Sequence, residues 1–385
     1  MCVTGLLSEV LGIDGCDAFA LDVPKSKHIS GHMTVKGISK KRIGKECKPY
    51  YLSEDDRTRA FAPNVTMQDL SLTSIRWAID QHHKHFKTPK QQWREPIEYL
   101  AEAKLIDTTS ADGAPRITLA AVVLFGKEAT LGRVIPFFDT VLATDVQTQR
   151  IRRNVVDCLK EVCVGDTSVV RVACPSVPLE PVRELVVNAY VHRCYRTQGP
   201  VVLTFRQSGI IIESPGELPG GLSAENLIYC TPIYRNLLMA DGVRFFGLCD
   251  MVGKGVDITF NSMVFGGFDF PIFESGNNRF AVRISLERSE QFREFVRDRA
   301  QALSELDEVL ALRLLWSRGT ASLSELASVM QRGEEIARRI LRAMQTKLMI
   351  QPVDDHSQTF KLAPNVLRDI ETVFQRNQFR LFAEL

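Results

Sequence analysis

Apolar residues recur at intervals of three and four over residues 67–105, which predicts amphipathic helices in this part of the chain. A turn is expected shortly after it, at Asp112-Gly113. The next stretch, residues 117–125, is almost entirely apolar and ends at Gly126. Its pattern fits a buried helix or a buried strand, because periodicity alone does not separate the two.

Strand-like patterns occupy two other parts of the chain. The first sixty residues hold short apolar runs separated by turn residues, which predicts a few strands. Between residues 169 and 286 strands and helices alternate. Residues 201–205 and 210–212 predict a β-hairpin with a tight Ser-Gly turn, and residues 280–286 predict a further strand. This mixture is typical of an α/β or α+β fold.

A charged helical pattern at residues 291–303 predicts a linker helix, and a small C-terminal module follows it. Ser322 and Glu325 have the spacing of a capping box, which marks the start of a first helix, and a second helix is expected from Glu334. The second helix is predicted to bury Ile336, Ile340, Leu341, Met344 and Leu348 and to expose Arg338, Arg339 and Arg342.

Residues 349–353 and 359–362 predict a two-stranded wing, so the module resembles a winged helix-turn-helix. Its arginines are placed to contact phosphates or base edges in a DNA major groove. The tip of the wing, Asp354-Asp355, is acidic and would repel phosphate. DNA contact through the second helix and protein contact or dimerisation through the same module are therefore two open hypotheses.

Composition places the chain among ordinary globular proteins. It has 385 residues, of which 45% are apolar and 24% charged, and its formal net charge of +2 excludes a globally basic nucleic-acid coat protein. The longest apolar run is far shorter than the ~20 residues that cross a bilayer. The nine cysteines include no C-x-x-C pair, and the first residues lack the basic start of a signal peptide. We expect reduced thiols, a cytoplasmic location and no membrane partner.

Two local clusters, one of basic residues and one of histidines, are further candidate sites. Residues 25–45 contain several Lys and Arg but no Asp or Glu. Such a stretch attracts a phosphate backbone, or it is a solvated loop, since no aromatic residues interleave with the charges. His82, His83 and His85 invite a metal interpretation. Adjacent histidines on a helix point in different directions, so no metal site is expected there.

One expected helix carries residues that fit phosphate chemistry. Glu184, Asn188 and His192 are spaced by four residues, so on a helix with Pro181 in its first turn they form one polar stripe. A carboxylate can polarise a water molecule, and the carbonyl oxygen of an Asn can hold Mg²⁺. The alternative is an ordinary polar stripe that faces solvent.

Two glycine-containing loops follow this helix, at residues 213–221 and 252–256. Glycine lets backbone N–H groups approach an anion closely, and Lys254 supplies a positive charge beside Gly253 and Gly255. Each loop alone is a weak signal. Their order after the polar-striped helix is more specific.

Four segments together resemble a family of bacterial and archaeal predicted transcriptional regulators. In that family an Alba-like Schlafen domain precedes an ATP-binding domain of the gyrase, heat-shock chaperone, histidine kinase and MutL class. The segments are RELVVNAYVHR at residues 183–193, IIIESPGELPGGLSAENL at residues 210–227, YRNL at residues 234–237 and VGKGV at residues 252–256.

The resemblance implies a Bergerat-type α/β sandwich that binds ATP and Mg²⁺ between its helices and a mixed sheet. By motif position, Glu184 would be the general base and Asn188 the magnesium ligand. The other positions assigned to nucleotide binding are His192, Ser214, Gly216, Gly253, Lys254 and Gly255.

The chain departs from the family pattern at three places. Ser214 stands where such ATPases have an Asp that accepts the adenine amino proton, and a Ser hydroxyl is a weaker, uncharged acceptor. Cys194 stands where an Asp usually follows the His-Arg pair of His192 and Arg193. The acidic cluster that some members use for nucleic-acid cleavage would lie before residue 1, so no nuclease chemistry is expected from this chain by itself.

The resemblance also divides the chain. A partial Alba-like Schlafen-type module is expected at residues 1–64, a helical connector at 65–116, the Bergerat-type ATPase-like domain at 117–288, a linker helix at 289–303 and the winged helix-turn-helix at 304–385.

The leading hypothesis is a DNA-associated regulator of transcription. It binds an adenine nucleotide and forms a homodimer. A second hypothesis is slow magnesium-dependent ATP hydrolysis within a nucleic-acid-processing or anti-phage defence system. A third is an interaction scaffold whose nucleotide site has degenerated, which the serine at position 214 favours.

Overall fold

The computed structural model describes the backbone of five strands within residues 7–49 and, with side chains, most of residues 56–372. The gaps in the second part are residues 90–93, 111–112, 220–221, 231–232, 250–254, 300–302, 304 and 355–357. The chain divides into two compact units, Met1–Glu54 and Asp55–Leu385.

The first unit contains antiparallel strands, as the short apolar runs predict. Strands β1 and β2 are antiparallel, and Ile13 pairs with Cys16. The turn residues Asp14-Gly15 between them lie outside the described residues. Strands β3, β4 and β5 form an antiparallel sheet in that order. The strands are β1 (Leu7–Ile13), β2 (Cys16–Leu21), β3 (His32–Val35), β4 (Ile38–Ile43) and β5 (Glu46–Pro49). The side chains of the basic stretch at residues 25–45 lie outside the described residues.

The second unit begins with helices, which confirms the helical pattern of residues 67–105. The first elements are α1 (Leu72–Phe86), α2 (Pro96–Glu102), β6 (Ile106–Asp107), β7 (Arg116–Ile117), α3 (Leu119–Phe125) and α4 (Glu128–Val134). The choice left open for the apolar run is decided in favour of a helix, α3, whose residues are all buried. Thr118 caps it, because its hydroxyl accepts a hydrogen bond from the Ala121 N–H at 3.2 Å.

A six-stranded mixed sheet forms one layer of the unit. Its order is β12-β13-β11-β10-β8-β9, and only the β8–β10 pair is parallel. The strands are β8 (Thr140–Thr144), β9 (Thr148–Ile151), β10 (Val201–Arg206), β11 (Gly209–Pro215), β12 (Ile272–Gly276) and β13 (Arg279–Ser285). The expected hairpin is formed by β10 and β11, in which Arg206 pairs with Gly209.

Helices cover one face of this sheet and form the second layer. They are α5 (Val155–Cys163), α6 (Val169–Ala173), α7 (Leu179–Val191), α8 (Leu237–Phe245) and α9 (Gly255–Phe265). Helix α7 contacts β10 and β11 below it and lies between α5 and α9. Tyr190 of α7 is fully buried and its hydroxyl is 2.6 Å from the Thr140 hydroxyl of β8, which fixes the helix on the sheet. The result is a two-layer α+β sandwich, as expected.

The C-terminal part contains four helices and three short strands in the described residues. They are α10 (Glu290–Asp298), α11 (Leu306–Arg318), β14 (Thr320–Ser322), α12 (Leu323–Val329), α13 (Glu334–Thr346), β15 (Ile350–Pro352) and β16 (Thr359–Leu362). The strands form an antiparallel sheet in the order β14-β16-β15. The capping box is confirmed at α12: Ser322 Oγ accepts from the Glu325 N–H, and the Glu325 carboxylate accepts from the Ser322 N–H.

The expected buried face of α13 is wrong at two positions. Ile336 is 39% exposed and Leu348 is 67% exposed. Helix α13 ends at Thr346, and Leu348 has a φ of 55°, so the helical spacing that placed it on the buried face no longer applies. The buried face of the helix is formed by Ala337, Leu341 and Met344.

The histidine cluster has a structural role. The His83 ring nitrogen is 2.7 Å from the Tyr99 hydroxyl, and the His82 ring is 2.5 Å from the Phe245 carbonyl oxygen. Within the described residues, no three His, Cys, Asp or Glu side chains are grouped as a metal site would need. The helices of these residues also include none that is long and apolar enough to span a bilayer.

Candidate functional site

A cavity lies between α7, the sheet and the loops that join β11 to α8. Apolar side chains of the sheet and of helix α8 form much of its wall, among them Ile212, Val243, Phe273 and Val282. Six of the residues singled out in the sequence line it together: Glu184, Asn188, His192, Ser214, Gly216 and Gly255.

Helix α7 aims its polar stripe into this cavity and not into solvent. Glu184 is only 4% exposed, and Asn188 and His192 follow it along the same cavity wall. The alternative of a solvent-facing stripe is therefore wrong. A carboxylate with so little exposure depends on its surroundings for stabilisation, which distinguishes it from an ordinary surface glutamate.

Gly255, the first residue of α9, lies directly against the stripe. A Cβ atom at this position would be 2.7 Å from Asn188 Nδ2, 2.7 Å from Glu184 Cγ and 2.9 Å from Glu184 Oε1. These distances are shorter than ordinary Cβ contacts, so a side chain at residue 255 would displace Glu184 or Asn188 from their present positions. The amino-terminal end of an eleven-residue helix thereby meets a carboxylate and an amide at one end of the cavity.

His192 ends α7 as its C-cap residue and lies in the cavity wall. Its ring stacks on Tyr234, with centroids 5.5 Å apart and ring planes 18° from parallel. Burial lowers the pKa of His192 to about 4, and the positive charge of Arg235 acts in the same direction. The imidazole is therefore neutral at physiological pH.

Gly216 begins the loop after β11 and has a φ of 103°, a conformation that favours glycine. Its N–H donates to the Asn278 carbonyl oxygen at 2.7 Å. A Cβ atom here would lie 2.6 Å from both Cys194 Cβ and Arg235 Nη1. The loop is thus pressed against the segment that follows α7.

Arg235 joins the two cavity walls. Its guanidinium donates to the His192 carbonyl oxygen at 2.7 Å and to the Glu217 carbonyl oxygen at 2.6 Å. The next residue, Asn236, donates from Nδ2 to the carbonyl oxygens of Val191 at 2.8 Å and Arg193 at 2.7 Å. The end of α7 and the loop after β11 are therefore held at a fixed separation.

Ser214 lies on β11 opposite Phe280 of β13 and is 4% exposed. It lines the cavity with a small neutral hydroxyl that can both donate and accept a hydrogen bond. The cavity has no carboxylate at this position, as the sequence shows.

Five further residues predicted as sites are not among those that line the cavity in the described part of the chain. Gly253 and Lys254 lie outside the described residues. Arg338, Arg339 and Arg342 are exposed on α13 and do not line the cavity.

Sequence reasoning assigned no role to Tyr234, Arg235 and Asn236, which the structure places around the end of α7. The only signal for them was their presence in a motif segment. Arg193 was noted only as half of a His-Arg pair. It is 1% exposed, and its guanidinium donates to the carbonyl oxygens of Phe137, Cys194, Thr197 and Gly199.

A family match supports an ATPase-like domain in this part of the chain. Residues 200–284, from β10 to β13, match the family described as putative ATP-dependent DNA helicase recG C-terminal. The expected mixed α+β ATPase-like fold is thereby confirmed.

A similar solved structure is the crystal structure of the DIP2311 protein from Corynebacterium diphtheriae. The TM-score is 0.60 at 19% sequence identity, and the alignment covers 94% of this chain and 76% of that one. At this identity the similarity concerns the fold alone. The comparison with curated proteins gives no match.

Gly216→Ala is expected to lower the free energy of unfolding by about 2–4 kcal/mol, from the left-handed backbone and from overlap with Cys194 and Arg235. Gly276→Ala is the matched control, because a Cβ at Gly276 meets nothing within 4 Å. Urea unfolding of the two variants checks this. Equal midpoints would contradict the close packing of the loop.

The pKa of His192 predicts a pH dependence of stability. Between pH 6.5 and about 4 the unfolded chain binds a proton at this residue and the folded chain does not, so the unfolding free energy falls as pH is lowered through that window. His192→Gln should flatten this dependence in urea titrations at several pH values. Equal slopes for His192→Gln and the unchanged protein would contradict the lowered pKa of His192.

Proposed function

We propose that the cavity binds an adenine nucleotide with Mg²⁺ and that the chain is a DNA-associated regulator of transcription. The observation that carries the nucleotide site is the contact of Gly255 with Glu184 and Asn188. This contact and the match to an ATPase-like family support a site with three groups. They are N–H donors for the phosphates, a ligand for magnesium and a carboxylate base for hydrolysis.

The start of α9 is the part that suits phosphate. The first N–H groups of an α-helix have no partner within the helix, and the helix dipole adds positive potential there. An anion is favoured at such a position. Glycine at residue 255 lets this end of the helix lie directly against Glu184 and Asn188. The N–H donors proposed for phosphate are thereby next to the proposed base and the proposed magnesium ligand.

Glu184 and Asn188 suit the other two roles. Asn188 offers an amide oxygen, a hard ligand that Mg²⁺ accepts. In this proposal the Glu184 carboxylate takes a proton from the attacking water as the water oxygen bonds to the terminal phosphorus. The bond from that phosphorus to the bridging oxygen breaks, and the nucleoside diphosphate leaves with that oxygen. Bound Mg²⁺ supplies charge neutralisation of the phosphates.

The rest of the cavity suits a purine base. Its wall is mainly apolar, and the stacked pair of His192 and Tyr234 is neutral. Ser214 offers the base edge one hydroxyl. The absence of an acidic group at position 214 supports slow turnover or a nucleotide with a purely regulatory role. It also supports the alternative of a scaffold that binds no nucleotide.

The C-terminal module supports DNA binding. Helices α12 and α13 and the three-stranded sheet are compatible with the proposed winged helix. Arg338, Arg339 and Arg342 are exposed, and no ion pair holds them within the described residues. We extend the proposal to an Alba-like Schlafen-type first unit, a cytoplasmic location and a homodimer, as the family resemblance implies.

The nucleotide site is tested by calorimetry with ATP and Mg²⁺, followed by turnover assays. The unchanged protein should bind ATP, and Glu184→Gln should retain binding but lose turnover by ~10²–10⁴-fold, as removal of a general base does. Glu180→Gln, at an exposed glutamate one turn earlier on α7, is the control and should keep full turnover. Absence of binding at millimolar ATP would overturn the nucleotide site. Turnover that survives in Glu184→Gln would remove this residue as the base.

DNA contact is tested by the salt dependence of duplex binding. The double variant Arg338→Ala with Arg342→Ala should weaken binding and reduce the slope of log affinity against log salt by about two, since each phosphate contact contributes about one. The control, Arg171→Ala with Arg297→Ala, removes two exposed arginines from α6 and α10. Equal affinity and slope for both double variants would exclude α13 as the DNA-binding element.

A further inference from the structure

The loop at residues 222–230 has two contact surfaces. On one side Leu222, Leu227 and Cys230 line the cavity. On the other side the same loop is hydrogen-bonded to residues about a hundred positions later, in the turn between α12 and α13. We name this second set of contacts the latch and define it by Ala224, Ile228, Tyr229, Asp307, Gln331 and Arg332.

Gln331 forms the first half of the latch with both ends of its side-chain amide. The Ile228 N–H donates to Gln331 Oε1 at 2.9 Å, and Gln331 Nε2 donates to the Ala224 carbonyl oxygen at 3.3 Å. Gln331 has a φ of 52°, and its own N–H donates to the Ser328 carbonyl oxygen. The turn is thus fixed locally. If the loop moves, either the two hydrogen bonds of the Gln331 side chain break or the turn moves with the loop.

Asp307 forms the second half. One carboxylate oxygen accepts from the Tyr229 hydroxyl at 2.7 Å, and the other accepts from Arg332 Nε at 3.2 Å and Nη2 at 3.1 Å. Asp307 is 8% exposed, and the Arg332 guanidinium also lies over the Tyr229 ring. Burial and the Asp307 carboxylate raise the pKa of Tyr229, which keeps the phenol protonated as a donor.

Helix α13 is held at both ends by α11. Arg332, just before α13, bonds to Asp307, and Lys347, just after it, bonds to Glu308 at 2.6 Å. Helix α11 also contacts α9, the helix whose first residue touches Glu184, and Arg313 of α11 donates to Asp269 at 2.6 Å. Both the loop and α9 therefore connect the cavity wall to the helix that carries the exposed arginines.

We infer that occupation of the cavity and DNA binding at α13 are thermodynamically coupled through the latch. The inference rests on the proposed function, because it needs both ligands to bind. A nucleotide that packs against Leu222 and Leu227 selects one position of the loop, and Gln331 and Asp307 transmit that position to the start of α13. Coupling between two binding sites is reciprocal, so DNA changes nucleotide affinity by the same factor.

The test uses the full chain and measures both affinities. A labelled DNA duplex is titrated by anisotropy with and without a saturating non-hydrolysable ATP analogue and Mg²⁺, and the analogue is titrated by calorimetry with and without DNA. We expect each ligand to change the affinity of the other by the same factor, about 5-fold or more. A factor below two with both ligands bound would overturn the coupling and leave the proposed function standing. Failure of either ligand to bind would overturn the proposed function and the coupling with it.

Variants of the latch identify the route. Gln331→Gly removes the amide and tolerates the positive φ, and Tyr229→Phe removes only the hydroxyl. Each should leave binding of the analogue alone within twofold and bring the coupling factor towards one. Asn64→Gly, at an exposed residue with a φ of 54°, is the matched control and should retain full coupling. Full coupling in both latch variants would overturn the assignment of the latch as the route.

Discussion

The fold of the site depends on how the end of α7 is held. Arg193 is buried and forms no direct ion pair with a carboxylate within the described residues, and four backbone carbonyl oxygens accept hydrogen bonds from its two Nη groups. Asn236 and Arg235 bind the neighbouring carbonyl oxygens of the same turn. Burial lowers the pKa of Arg193, but five donors in a fixed plane suit several carbonyl groups at once, which a lysine could not match. Because these bonds fix where the helix ends, they also fix where its polar stripe faces.

With α7 fixed, two glycines at the edges of the cavity determine how closely the backbone approaches this helix. Gly216 and Gly255 stand where any Cβ would overlap a neighbour, on the loop after β11 and at the start of α9 respectively. The backbone therefore approaches the end of α7 on one side and the Glu184–Asn188 stripe on the other. The sheet supplies the apolar floor through residues such as Ile212 and Val282. A site with a polar end and an apolar body follows from this packing.

Local regularities in the sequence predicted part of this arrangement. The four-residue spacing of Glu184 and Asn188 sets a common face because helix geometry is local, and the hairpin and the capping box are local for the same reason. The contact of Gly255 with Glu184 depends on tertiary packing, which periodicity does not record. The burial of Arg193 could not be foreseen, since arginine is rarely buried completely. Leu348 was misplaced because α13 ends before it, and helix ends are the least regular part of a periodic pattern.

The two halves of the latch differ in the strength of their hydrogen bonds. Asp307 and Glu308 lie in the first turn of α11, where negative charge also stabilises the helix dipole. Their bonds to Arg332 and Lys347 are charge-assisted, and breaking one would leave a nearly buried carboxylate without its cation. The two hydrogen bonds of the Gln331 side-chain amide join neutral groups, and each contributes only about 0.5–1.5 kcal/mol to stability. The charged pairs therefore keep α13 attached to α11, and the two hydrogen bonds of Gln331 are the weaker contact between the loop and the turn before α13. In the proposed coupling, a small displacement of the loop reaches that turn through Gln331 without separating the module from the rest of the domain.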